Sequence, residues 1–223
     1  MSVEKHAPWG RPTTVRADVT AAGDDADLAA AVAANPGTRI AFLPSPASDF
    51  ARAVGVPAMG ERPAPSVDLP CDALEVECDG VAHPAVNMVV LGTAPDRQRW
   101  WSRSARVLVR VDGRVVHDGT AAAVVIANGQ HLRGNDVVPR GHPGDGRIEV
   151  QVYDVPRGER AAMRARLASG QHVPHPGIRS GTGRRVEVWA AEGIRPLEVD
   201  GRALSPVTEV RVAVVPEMFT LVV

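Results

Sequence analysis

Lysine is almost absent from this chain: Lys5 is the only one among 223 residues. Its position excludes a phosphate-loop lysine or a Schiff-base lysine in the body of the protein. Cysteine is nearly as scarce. Cys71 and Cys78 are spaced to fit no zinc pattern, and one pair is too few for a secreted disulfide scaffold. Aromatics make up 4% of the residues, so alanine and valine must fill much of the core. An excess of one charge is missing too. A net charge of −1 lacks the basic surplus of a general nucleic-acid binder, and no nucleic-acid partner is expected. No apolar run reaches the roughly 18 residues that would span a membrane, and residues 1–16 carry no apolar core of a signal peptide. The expectation is a soluble cytoplasmic protein. No Gly-x-Ser-x-Gly elbow occurs. His131, His142, His172 and His175 form no helical pair and have no cysteine companions; the last two read as loop histidines rather than ligands.

What is present divides the chain in two. Residues 15–22 read as a short strand. Asp24 and Asp25 offer cap chemistry ahead of an alanine-rich helix over 26–34, stopped by Asn35-Pro36-Gly37. Residues 39–43 form a buried strand, and Ser48 or Asp49 caps a second helix running to Val54. Strand, helix, strand, helix predicts an α/β unit with a parallel sheet. Residues 57–67 (PAMGERPAPSV) read as a linker. Beyond it the pattern changes to short strands at 73–77, 86–91, 105–111, 114–117, 121–127, 147–153, 185–190, 196–199, 208–214 and 218–222. Asp112-Gly113 marks a hairpin. One helix interrupts them at 158–168, with Arg160, Arg164 and Arg166 on its polar side.

The fold class is therefore α+β. A small, truncated α/β N-terminal lobe (1–60) precedes a larger, mainly antiparallel β-sandwich domain (68–223), and a ligand is expected in the cleft between them. Trp100 and Trp101, flanked by Arg97, Arg99, Arg103 and Arg106, suit either a lipid-headgroup patch or a half-buried domain edge. The edge is the preferred reading.

Three stretches, VVIANGQHLRGNDVVPRGHPGDGRIEVQV (124–152), GQHVPHPGI (170–178) and LEVDGRAL (197–204), together resemble the bacterial diacylglycerol- and sphingosine-type lipid kinase family. IAFLPSPASDFARAVGV (40–56) is similar to the family's Pro-x-Gly-Thr-x-Asn-Asp-Phe-Ala-Arg segment. AAGDDADLAAAV (21–32) lines up with its Gly-Gly-Asp-Gly-Thr loop, where Gly23 and Asp24 match.

The resemblance implies ATP-dependent phosphoryl transfer to a lipid hydroxyl, with ATP and Mg²⁺ as cofactors. It puts Gly23, Asp24, Ser48 and Asp49 at the nucleotide, Asp200 as general base or second-metal acid, and Asp145 at a structural Mg²⁺. Its partners would be a lipid or lipid-like small molecule, a membrane touched from the periphery, and a second copy of the chain. Plain readings stand beside these: Asp24 and Asp49 also suit helix caps, Asp25 is read as a cap, and Asp145 and Asp200 also suit hairpin or tight turns. The sequence departs from the family's pattern as well. Asp25 and Ala26 replace Gly-Thr, Ser45-Pro46-Ala47 replaces the other Gly-Thr turn, and Arg202 replaces the glutamate of Asp-Gly-Glu. These departures support the alternative of a non-catalytic relative acting as a lipid- or partner-binding module.

Overall fold

The computed structural model describes residues 9–56, 66–191, 193 and 195–223. The first part holds β1 (Arg11–Thr13), β2 (Val19–Gly23), α1 (Asp25–Ala34), β3 (Arg39–Pro44) and α2 (Asp49–Val54). There follow β4 (Ser66–Cys78), β5 (Val81–Ala85), β6 (Met88–Gly92), β7 (Ala105–Val111), β8 (Arg114–Ala121) and β9 (Ala123–Ala127). A small ribbon, β10 (His131–Leu132) and β11 (Asn135–Asp136), leads to β12 (Ile148–Tyr153) and α3 (Arg160–Leu167). The chain finishes with β13 (Ile178–Gly183), β14 (Arg185–Ala190), β15 (Arg195–Val199), β16 (Arg202–Val207) and β17 (Glu209–Val222).

Local chemistry sets the helix starts. The Asp24 carboxylate accepts from the amide of Asp27 and the Asp27 carboxylate from that of Asp24, both at 3.0 Å. This reciprocal capping box satisfies two amides that the first turn of α1 leaves free. Asp24 is thus the cap and Asp25 already lies inside the helix, which corrects the expected capping role of Asp25. Ser48 caps α2 by accepting from the Ala51 amide at 3.0 Å, and Gly55 ends that helix in the left-handed region.

The expected small α/β unit and larger β-sandwich are both present. β2 and β3 pair in parallel, and β3 pairs in parallel with the end of β17 at Thr220–Val222. The earlier part of β17 pairs with β14, while β4 runs antiparallel to β17 along its length, with one register shift between Val215 and Phe219. The expected strands 208–214 and 218–222 are therefore one strand. Residues 66 and 67, expected in the linker, begin β4; the remainder of that linker, 57–65, lies outside the described residues.

A second sheet, in the order β13-β12-β9-β6-β15-β16, packs across the first. Between them lies a valine-rich core that includes Val107, Val109, Val124, Ile126, Val150 and Val212. β9 is buried on both faces: Ala123, Val125 and Ala127 pack outward against a cluster containing Met163 and Leu167 of α3. No helix among the described residues is long and apolar enough to cross a membrane.

Phe219 is 1% exposed, sits at the register shift of β17 and packs on Phe50 of α2 with ring centroids 6.1 Å apart. Phe219→Ala should lower the unfolding free energy by about 3–5 kcal/mol, through lost burial and the cavity left behind. Urea titration of both proteins measures this.

Candidate functional site

Two Asp-Gly turns show how one local motif can be put to different use. Asp112-Gly113 and Asp200-Gly201 each close a two-residue hairpin with both central residues at positive φ (+48° and +77°; +46° and +81°). Asp and Gly tolerate that conformation best. The Asp112 carboxylate is exposed and accepts from the amides of Arg184 and Arg185. The Asp200 carboxylate is buried and accepts from three successive amides, Val86 at 2.7 Å, Asn87 at 3.0 Å and Met88 at 2.8 Å.

Asn87 carries the network onward. Its Nδ2 donates to the Asp25 carboxylate at 2.9 Å and to the carbonyl of His131 at 3.1 Å. Gly129 makes room for it, since a Cβ there would lie 2.2 Å from Asn87 Oδ1. The neighbouring Asn128 is fully buried and ties the carbonyls of Asp72 and Val86 together. The Ala-Asn-Gly stretch is thus a structural clamp behind the site.

Asp25 itself is 5% exposed. It accepts from Ser48 Oγ at 2.6 Å, and its two oxygens lie 3.0 and 3.2 Å from the amide of Phe50. The foot of α2, where free amides and the helix dipole favour an anion, therefore holds the protein's own carboxylate. Asp49 is similarly engaged: it accepts from the amide of Gly134 at 2.7 Å and from that of Arg133 in the β10–β11 turn. The Arg133 guanidinium forms a bidentate pair with Asp96 at 2.8 Å and a further contact with Glu198. On the other side Arg202 pairs with Asp24 at 3.2 Å and Asp27 at 2.5 Å.

Asp24, Asp25, Asp49, Asn87, Arg133 and Asp200 all line one cavity of about 200 Å³. Of the residues singled out from the sequence, Asp24, Asp49 and Asp200 share this space, and Ser48 sits behind it on Asp25. Gly23 lies at the end of β2 with φ +125°, and a Cβ there would lie 2.0 Å from Asp27 Oδ2. Asp145 does not line the cavity. It lies on the turn before β12 and accepts from the Arg147 amide at 3.0 Å. The described residues hold no group of three or more His, Cys, Asp or Glu side chains placed to bind a metal ion. Asn87, Arg133 and the inward turn of Asp25 were not anticipated. Asn87 has no sequence signal of its own. Arg133 had one in the glycine that follows it: Arg133-Gly134 makes the same kind of two-residue turn as the Asp-Gly pairs, at φ +49° and +74°. His172 lies in the loop between α3 and β13, as expected, but it is 1% exposed and its Nε2 lies between Tyr153 Oη and the Val137 carbonyl.

Burial pushes the Asp200 carboxyl up to about 7, against the pull of the Met88, Val86 and Asn87 amides and helped by the charge of Asp25. Burial likewise pushes Asp25 up to about 6, against its bonds to Ser48, Phe50 and Asn87, while the nearby Asp49 adds to the rise. A carboxyl raised on folding favours the folded state while protonated. That contribution is present below the unfolded value near 3.8 and is lost as pH rises through the folded value. Between pH 5 and 8 the stability of the native chain should therefore fall relative to Asp200→Asn, by about 2 kcal/mol. Denaturant titrations of both proteins at the two pH values test this; parallel profiles would show that Asp200 does not titrate there.

The comparisons with known proteins agree with this architecture. The family model described as YegS C-terminal NAD kinase beta sandwich-like domain matches residues 72–223. No curated protein matches the chain. Among solved structures, a diacylglycerol kinase from Bacillus anthracis str. Sterne is similar at a TM-score of 0.66 and 17% identity, covering 92% of this chain and 75% of that one. A second structure from the same strain, assigned as a diacylglycerol kinase, reaches 0.72 at 16% identity over 92% and 77%. Yeast NADH kinase complexed with NADH is similar at 0.51 and 14% identity over 93% and 62%. At such identities the likeness is one of fold. With the family model covering well over half of its length, this chain belongs to the family of the YegS C-terminal NAD kinase beta sandwich-like domain.

Proposed function

We propose that this chain is a non-catalytic relative within its family, a binding module that does not transfer phosphate from ATP. The observation that carries this reading is the Asp25 carboxylate on the amide of Phe50 and the hydroxyl of Ser48. A phosphate approaching the foot of α2 would meet a negative charge already holding the donors it needs. Three further features support the reading. Pro46 has no amide to offer in the adjoining loop. The space beside Gly23 is taken by the Asp27 carboxylate, and Arg202 neutralises Asp24 and Asp27 where a divalent cation would otherwise serve. The cavity, at about 200 Å³, is below the roughly 300 Å³ at which small-molecule pockets begin. ATP and Mg²⁺ do not fit these residues.

The kinase reading keeps one observation in its favour, the shared cavity of Asp24, Asp49 and Asp200. Thermal unfolding with and without MgATP separates the two. A nucleotide at 100 times its dissociation constant adds about 2.7 kcal/mol, which in a chain of this size raises Tm by about 5–10 °C. The expected shift here is nil at millimolar MgATP, with no transfer of labelled phosphate to diacylglycerol vesicles. A clear shift that Asp49→Asn abolishes would restore the kinase reading.

A further inference from the structure

The geometry points to a second functional surface outside the cleft: the turn carrying Trp100 and Trp101, which we infer docks on an anionic lipid bilayer. The two indoles are 66% and 61% exposed, which corrects the half-buried placement preferred from the sequence. They occupy the two central positions of a β-turn closed by the Ser102 amide on the Arg99 carbonyl at 3.0 Å. Their rings meet edge to face, 5.4 Å between centroids. Two large, adjacent apolar groups in water are uncommon on a surface with no partner.

The turn is held in shape from beneath. Arg160 of α3, expected on that helix's polar side, is 3% exposed. Its guanidinium donates to the carbonyls of Arg99 at 3.1 Å, Ser102 at 2.6 Å and Val155 at 3.1 Å, and to Ser104 Oγ at 3.1 Å. Arg164 donates to the carbonyl of Gln98 at 2.5 Å, and the Gln98 side chain is fully buried. Burying a guanidinium on neutral acceptors is costly, so the fold commits a charged group to keeping this tip rigid. A rigid tip presents its side chains without a further loss of entropy on binding.

Charge selects the partner. Residues 95–106 contain four arginines and one aspartate in a chain whose net charge is −1. Arg97 pairs with Glu198, Arg106 with Asp118, and Asp96 is taken by Arg133. Arg99 and Arg103, on either side of the indoles, form no ion pair with the described residues. Exposed Arg166 of α3 adds a further positive charge on the helix that supports the tip. Indoles set directly among unpaired arginines match the headgroup layer of a negatively charged membrane, where tryptophan favours the interface and each basic side chain gains from the anionic lipid. The inference does not depend on the state of the cleft, and its test involves no nucleotide.

Vesicle flotation decides it, with phosphatidylcholine alone and with added phosphatidylglycerol. The full chain should float with phosphatidylglycerol vesicles at least about tenfold more strongly than with phosphatidylcholine, and added salt should weaken the binding. Trp100→Ser combined with Trp101→Ser should abolish flotation while leaving the thermal unfolding curve in place, because both side chains are exposed. Arg99→Gln with Arg103→Gln should lower binding to the anionic vesicles about tenfold or more. No flotation of the native chain, or flotation unchanged in the tryptophan variant, would overturn the inference. So would sedimentation showing a dimer that the tryptophan variant dissolves, since the indoles would then cover a second copy.

Discussion

β4 and β17 run side by side through both halves of the molecule, and their ladder fixes where everything else can sit. One end of β17 completes the parallel sheet of β2 and β3, and the other faces β14 inside the sandwich. Moving the α/β unit against the sandwich would break backbone hydrogen bonds along this shared strand. The position of the cleft follows. Asp25 starts the helix after β2, Val86 and Asn87 form the bend between β5 and β6, and Asp200 tips the β15–β16 hairpin. Each is carried on an element that the common sheet or its partner sheet holds still.

Within that frame the cleft is electrically self-contained. Its acids are matched one by one to donors from the chain: Asp25 to the foot of α2, Asp49 to the β10–β11 turn, Asp200 to the bend before β6, and Asp24 with Asp27 to Arg202. A site that binds phosphates leaves amides and cations unengaged until the ligand arrives. Here the corresponding groups are spent on internal contacts, and the small remaining volume reflects that.

The strands legible in the sequence were those with both ladder edges occupied or with a clean hydrophobic pattern. ARVLVRV alternates because β7 buries one face, and AVVIA does not alternate because β9 buries two. Of the strands passed over, β1, β10 and β11 are only two or three residues long, while β5, β13 and β16 lie at sheet edges and read VAHPA, IRSGTG and RALSPV. Edge positions tolerate proline, glycine and polar residues, so they lose the periodic signal. The site was legible as far as residue type could carry it. Asp24 and Asp25 are equally good caps by chemistry. Asn87, 62 positions further on, draws in Asp25, and no local pattern contains that information. Arg160 misled for the same reason: a charged side chain on a short helix belongs in water unless distant carbonyls converge on it.

Asp200 meets two demands at once. Its backbone occupies a conformation few residues accept, and its side chain terminates three amides that would otherwise face a dry interior. Replacing it would unsettle the scaffold whether or not any substrate is turned over. An aspartate retained at this spot in a distant cousin is thus a poor witness to surviving chemistry, because architecture alone is reason enough to keep it.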